Sequence, residues 1–256
     1  MSTKRKSCEI ENTVWIQQDQ QQNSVPDSCQ FVSFDVGTSN MGFCRLGFDR
    51  DRKMIVREWK VISLSCGGQE TIQLSAVCLI ETFKTLFPLG SFVDQTTTTI
   101  LIEDQPPKND KTFALSFCIS TFFTMRFPTL AVYFVNSKSK LKLCDDLMVF
   151  PTRSYAANHS ANKSISKQAT QVVLNTCNLS HTLTWFNKQR KRDDLADSFL
   201  QILAWGILHQ EPNCMSIVNT VNQRLNLQNT SVPLIKIPKR KPKKPRISHG
   251  QLLPGT

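Results

Sequence analysis

The stretch Lys191-Arg192-Asp193-Asp194-Leu195-Ala196-Asp197-Ser198-Phe199-Leu200 constrains this chain more than any other. Three carboxylates stand within five residues, behind two cations and ahead of an apolar run that continues Ile202, Leu203, Ala204 and Trp205. On a helix, Asp194 and Asp197 are three apart and Asp193 and Asp197 four apart, so each pair shares a face. Acids in a first turn have an ordinary use, because they complement the positive end of the helix dipole and meet its free N–H groups. Two other isolated carboxylates, Asp35 and Glu103, each lie at the end of a strand-like run, and this moves the reading toward chemistry. Like charges gathered in one place are costly unless a cation sits among them, and a divalent metal is the usual solution.

Hydrophobic patterning supplies the elements that would bring these acids together. Residues 30–37 form a short apolar run ending in Asp35 and Gly37, as a buried strand does; 41–48 and 54–64 read as two more strands around a polar tip at 49–52. Segment 70–87 has helical spacing and stops at Pro88 and Gly90. A β-branched strand, 98–103, ends in Glu103 and is closed by Pro106-Pro107. Asn109 or Asp110 caps a helix to about Arg126, 131–135 is a fifth strand, and 137–150 fits no single template. Residues 164–177 are helical, 178–187 a loop, and 193–209 the last helix. The expected class is therefore mixed α/β, with three antiparallel strands followed by parallel ones and helices on the faces. Residues 1–29 are expected to be a flexible polar leader, 30–210 the folded domain, and 211–256 a basic Pro/Lys-rich tail, mostly disordered.

Of the formal net charge of +11, seven units come from Lys236, Lys239, Arg240, Lys241, Lys243, Lys244 and Arg246, with no acid between 236 and 256. A body at +4 with an intensely basic tail points to a polyanionic partner such as nucleic acid. Nine cysteines without a C-x-x-C pair fit neither a zinc site nor a disulfide framework, so an intracellular, reducing compartment is expected. No apolar secretory segment follows the basic start, and the longest apolar stretch, 113–123, is too short for a bilayer. Strand-end acids in an open α/β sheet sit where such sheets build their sites. Asp35, Glu103, Asp194 and Asp197, without His or Cys, would make an oxygen-rich site suited to Mg²⁺ or Mn²⁺. Two such ions about 3.5–4 Å apart can clamp a phosphodiester.

Phe34-Asp35-Val36-Gly37-Thr38-Ser39-Asn40-Met41, Ile102-Glu103-Asp104-Gln105 and Lys191-Arg192-Asp193-Asp194-Leu195-Ala196-Asp197-Ser198 resemble the three signatures of the RuvC-like Holliday-junction resolvases. The wording is closest to the branch found in large DNA viruses, the poxviruses and their relatives. The likeness spans about 30–209, with the motifs in the same order. It implies a ribonuclease-H-like fold, a homodimer acting on branched DNA, and Mg²⁺-dependent nicking of two opposed strands of a four-way junction, with two ions per site. It places Asp35, Glu103, Asp194 and Asp197 as catalytic metal ligands and leaves Asp193 outside them. Lys167, in Ile165-Ser166-Lys167-Gln168, resembles the family lysine that contacts the phosphate backbone near the cut, and is expected among the catalytic residues. Lys163 lies one turn earlier, where a solvated helix face is an equal alternative. Lys138 and Lys140, in Ser137-Lys138-Ser139-Lys140-Leu141-Lys142, resemble a basic strand end that meets phosphate. The tail cations Lys239, Arg240, Lys241, Lys243 and Lys244 add non-specific DNA contact, with nuclear import as the competing role. A viral origin would put the protein in the host cytoplasm or nucleus. No membrane and no small-molecule substrate are expected.

The helix 111–126 is apolar on more than one face (Phe113, Leu115, Phe117, Ile119, Phe122, Phe123) and is the expected dimer contact. Three alternatives compete. Asp35-Val36-Gly37-Thr38-Ser39-Asn40 also resembles the first phosphate loop of actin, heat-shock-chaperone and sugar-kinase ATPases, but Gly67-Gly68 is the sole candidate for their later glycine motifs and comes too early. Another ribonuclease-H-like nuclease, or a junction binder without catalysis, shares the remaining features.

Overall fold

In a computed structural model of the chain, the described residues are 14–16, 30–64, 71–89, 98–147 and 159–230. Three antiparallel strands, β2 (Gln30–Val36), β3 (Asn40–Phe48) and β4 (Met54–Ser63), continue into two parallel ones, β5 (Thr98–Asp104) beside β2 and β6 (Ala131–Asn136) at the edge. A short strand, β1 (Val14–Ile16), pairs antiparallel with β4, so the sheet order is β1-β4-β3-β2-β5-β6. The mixed α/β sheet is thus as expected, and the segment read as a leader adds an edge strand to it.

Strand alternation splits the core into two layers. Val32, Phe34, Val36, Phe43, Ile100 and Ile102 point to the face covered by α1 (Ile72–Leu86) and α2 (Asp110–Arg126). Phe31, Leu46, Trp59, Leu101 and Val135 point to the other face, covered by α6 (Arg192–Leu208) with α3 (Lys138–Asp146), α4 (His159–Thr176), α5 (Ser180–Lys188) and α7 (Pro212–Thr230) around it. Thr71 caps α1, its hydroxyl accepting from the Leu74 N–H at 3.2 Å. Helix α6 needs burial all round and receives it: Leu195, Ala196, Phe199, Leu200, Ile202 and Leu203 are at most 1% exposed. Trp59 Nε1 donates to the Leu195 carbonyl at 3.0 Å, and its ring stacks on Phe186 at 5.1 Å, which fixes the first turn of α6 to the sheet.

Three segments depart from the sequence reading. Residues 178–187, expected as loop, contain α5, because Leu179, Leu183 and Phe186 recur at helical spacing and turn into the core. The domain does not end at 210: α7 occupies the first part of the expected disordered tail. Its Cys214, Ile217, Val218 and Val221 make a buried stripe, and a Cβ at Gly206 would overlap the Cys214 side chain. The described part of the region 137–150 forms α3, whose inward stripe is Lys140, Leu143 and Cys144, followed by Leu147. The tail cations Lys239, Arg240, Lys241, Lys243 and Lys244 lie outside the described residues, as does Gly67-Gly68.

Candidate active site

Parallel pairing of β2 with β5 sets Phe34 beside Ile102, so the next residues, Asp35 and Glu103, stand side by side at the carboxyl ends of neighbouring strands. Both lie in alternation with residues of the α6 face, Phe31 with Asp35 and Leu101 with Glu103. Helix α6 brings its acidic start against the same spot. Gly42, paired with Asp35 across β2 and β3, makes this possible, because a Cβ there would overlap the Asp194 carbonyl oxygen. The N-cap of α6 is Lys191, whose side chain makes no cap hydrogen bond. Asp193 and Asp194 sit inside the first turn, where they complement the dipole.

The centre of this cluster is occupied by a lysine. Lys140 Nζ donates to Asp35 Oδ1 and to Glu103 Oε1, both at 3.1 Å, and lies 3.7 Å from Asp197 Oδ2. Lys140 as a whole is 5% exposed. Lys140, expected in a basic strand end that meets phosphate, lies instead on a helix and starts the buried stripe of α3, so its stem runs inward to the carboxylates. Lys138, on the other side of α3, is exposed. Gln105, two residues beyond Glu103, donates to Glu103 Oε2 at 2.7 Å and fixes its second oxygen. Deeper along α6, Gln201 reaches the Phe34 carbonyl at 3.4 Å, next to Asp35.

Helix α4 supplies the rim. Lys163 pairs with Asp193 at 2.5 Å, and Lys167, one turn on, is half-buried and adds a second positive charge near Asp193. The geometry therefore gives Asp193 a lysine partner of its own and leaves Asp35, Glu103 and Asp197 around Lys140.

Electrostatics follow from this packing. Burial pushes the Asp35 carboxyl up to about 7; Lys140 opposes the shift and Glu103 adds to it. Asp194 is raised to about 6, by burial first and then by the charges of Asp193 and Asp35. Asp197 is raised by burial, against the pull of Lys140 and of a hydrogen bond from Ser166. Burial raises Asp193 less than its bond to Lys163 and other favourable interactions lower it, and the net direction is down. Burial disfavours the Lys140 charge, but Asp35, Asp197 and Glu103 outweigh it and hold its pKa well above the ordinary lysine range.

Such a set can hold a cation. Its acidic donors are all hard carboxylate oxygens, suited to Mg²⁺ or Mn²⁺, and three of the four already hold a positive charge in the form of the Lys140 ammonium. Among the described residues no three acidic, histidine or cysteine side chains are drawn together closely enough to hold a metal ion; the cation at the centre here is the lysine.

Strand order and the helices on both faces define a ribonuclease-H-like mixed α/β fold. Solved structures that resemble the chain include Holliday junction resolvases. The yeast mitochondrial resolvase Ydc2 matches with a TM-score of 0.50 and 14% identity, over 80% of this chain and 89% of that one, and this likeness carries the fold. RuvC of Thermus thermophilus (TM-score 0.44, 10% identity, 70% and 96% covered) and the fowlpox virus resolvase solved with Holliday junction DNA (0.40, 16%, 70% and 98%) are also similar. No family model and no curated protein sequence matches the chain.

The residues that sequence reasoning missed are Gly42, Gln105, Ser166 and Gln201, together with the inward place of Lys140. A signal existed for the last: 140, 143, 144 and 147 recur at i, i+3, i+4 and i+7, with lysine first in an otherwise apolar row.

Proposed function

We propose that the protein is a divalent-cation-dependent endonuclease that resolves four-way DNA junctions by paired hydrolysis of opposed phosphodiesters. The observation that carries this reading is the convergence of Asp35, Glu103 and Asp197 on a single cation position, with Asp194 at its edge. Asp35, Glu103, Asp194 and Asp197 would hold Mg²⁺, with Mn²⁺ able to substitute, and two ions per site are proposed. The ions supply Lewis acidity and charge compensation at the scissile phosphate. Gln105 orients Glu103, Gln201 steadies the strand end that carries Asp35, and Lys163, Lys167 and Lys138 offer positive charge to the DNA backbone at the mouth. The tail cations extend that contact without entering the site.

Two opposed cuts require two sites facing each other, which a two-fold homodimer provides. Helix α2 suits this role: Phe117 is 50% and Met125 80% exposed, beside Ile80 and Cys118 in an apolar groove against α1. Closeness of the motifs to the viral branch extends the proposal to processing of viral recombination and replication intermediates. Cys44, Cys118 and Cys177 are free thiols, in keeping with a proposed reducing compartment, host cytoplasm or nucleus in a viral setting. Among the described residues no helix is long and apolar enough to cross a membrane.

Purified protein offered a labelled four-way junction, a linear duplex and an RNA–DNA hybrid with Mg²⁺ should nick the junction in symmetric pairs. Cleavage of the hybrid alone would favour a different ribonuclease-H-like nuclease, and tight junction binding without cleavage a non-catalytic binder.

A further inference from the structure

We infer that Lys140 is a tethered cation that competes with the divalent ion for the carboxylate centre, so that loading the metal and withdrawing Lys140 are one event. The inference rests on the metal-dependent function proposed above. Its observation is positional. Lys140 Nζ takes one oxygen from each of the three elements that meet at the site: Asp35 on β2 and Glu103 on β5 at 3.1 Å, and Asp197 on α6 at 3.7 Å. Two of its three N–H donors bond Asp35 and Glu103, and the Asp197 carboxylate adds a third negative charge as an ion pair.

The fit explains how the chain can gather these acids with no metal bound. Without Lys140, Asp35, Glu103 and Asp197 would face one another uncompensated in a site where each is at most 25% exposed. An ammonium and a divalent cation cannot share the same oxygens, since like charges at contact repel strongly where water is scarce. The α3 backbone is anchored by Leu143, Cys144 and Leu147 in the core, which leaves the four-carbon stem of Lys140 to move. Lys60 is the contrast. It is equally buried, at 3% exposed, and paired at 2.5 Å with Glu58, but its partner on β4 is a single carboxylate outside this centre, so cation loading has no reason to release it.

Calorimetric titration of the full chain with Mn²⁺, in the absence of DNA, should show Lys140→Met binding at least tenfold more tightly than the unaltered protein. Equal affinity within about twofold would overturn the inference while leaving metal-dependent function standing. A second readout needs no variant: amine acylation read by mass spectrometry, with Ca²⁺ as the probe cation. Lys140 should be protected in chelator and become reactive at saturating Ca²⁺, while Lys60 stays protected in both. Lys140 remaining protected at saturating Ca²⁺ would overturn the inference alone. Absence of Mn²⁺ binding by both the unaltered and the Lys140→Met chains would overturn the metal reading and the inference with it.

Discussion

The face of the sheet under α1 and α2 and the face under α6 are built from alternate residues of the same strands, yet the α6 face, apolar along most of its length, ends in a cluster of buried carboxylates. Under α1 and α2, Phe34, Phe83, Phe87 and Phe123 meet with ring centroids 5.1–6.3 Å apart, and Phe43 joins them through Phe34 at 5.5 Å. Its charged feature, Lys60 with Glu58, has the ammonium 5.3 Å from the Phe43 ring. Under α6, the step from Phe31 through Ser33 to Asp35 runs from apolar core to buried charge. Among the described residues, the Ser33 hydroxyl and Gln201 Oε1 are buried there without a hydrogen-bond partner. Apolar burial on the first face contributes stability; the second gives some of it up to gather carboxylates around one cation position. The difference is one of direction along a single strand, since moving β2 by one residue would exchange the two faces.

Substitutions that separate catalysis from stability should break this contrast most sharply if it is wrong. Asp194→Asn and Asp197→Asn are expected to abolish cleavage of a four-way junction while leaving binding, measured by gel shift, intact or tighter, because a metal-ligand charge is lost and repulsion of DNA falls. Near-normal cleavage by Asp194→Asn would make Asp193 the ligand. On the other face, Phe123→Ala should lower the unfolding free energy by roughly 3–5 kcal/mol in denaturant melts while leaving cleavage measurable at low temperature. Between the two faces lies Gly42: Gly42→Ala should cost about 1–3 kcal/mol and weaken Mn²⁺ binding in calorimetry, since α6 must shift away from Asp35. The smallest effect belongs to the tail. Deletion after residue 232 should leave melting unchanged but flatten the slope of log K against log salt by roughly 3–4 if about four cations touch phosphate.

Much of this architecture was legible because it is local. Strand alternation through Phe34 and Asp35, the β-branched run into Glu103, and the acid-then-apolar start of α6 each show in a few consecutive residues. The first-turn acids suit both a helix start and the proposed metal site, so no conflict obscured them. What could not be read depends on distant partners. Ser137-Lys138-Ser139-Lys140-Leu141-Lys142 looks like a solvated basic run, and only the seating of α3 against α6 and β6 turns Lys140 inward. Helices α5 and α7 were lost for a related reason: their polar residues dominate the composition, while a few buried side chains, Phe186 on one and Cys214 and Val221 on the other, decide their fate. Gly42 looks like an ordinary strand glycine until Asp194 is placed above it.

The central claim, that the α6 face holds charge at the expense of stability, is tested most directly by melting the unaltered protein and Asp35→Asn in chelator from pH 4 to pH 8. The Asp35 carboxyl is raised to about 7 by burial, above the ordinary value near 3.9, so the folded state binds more protons than the unfolded state across that interval. Stability from this group is then fully present below about pH 4 and lost as pH rises through about 7. Asparagine carries no charge to lose. The two proteins should melt together near pH 4, and the variant should become the more stable, by about 1–3 kcal/mol at pH 8. A gap that stays flat with pH, or an unaltered protein that is the more stable at pH 8, would contradict the claim.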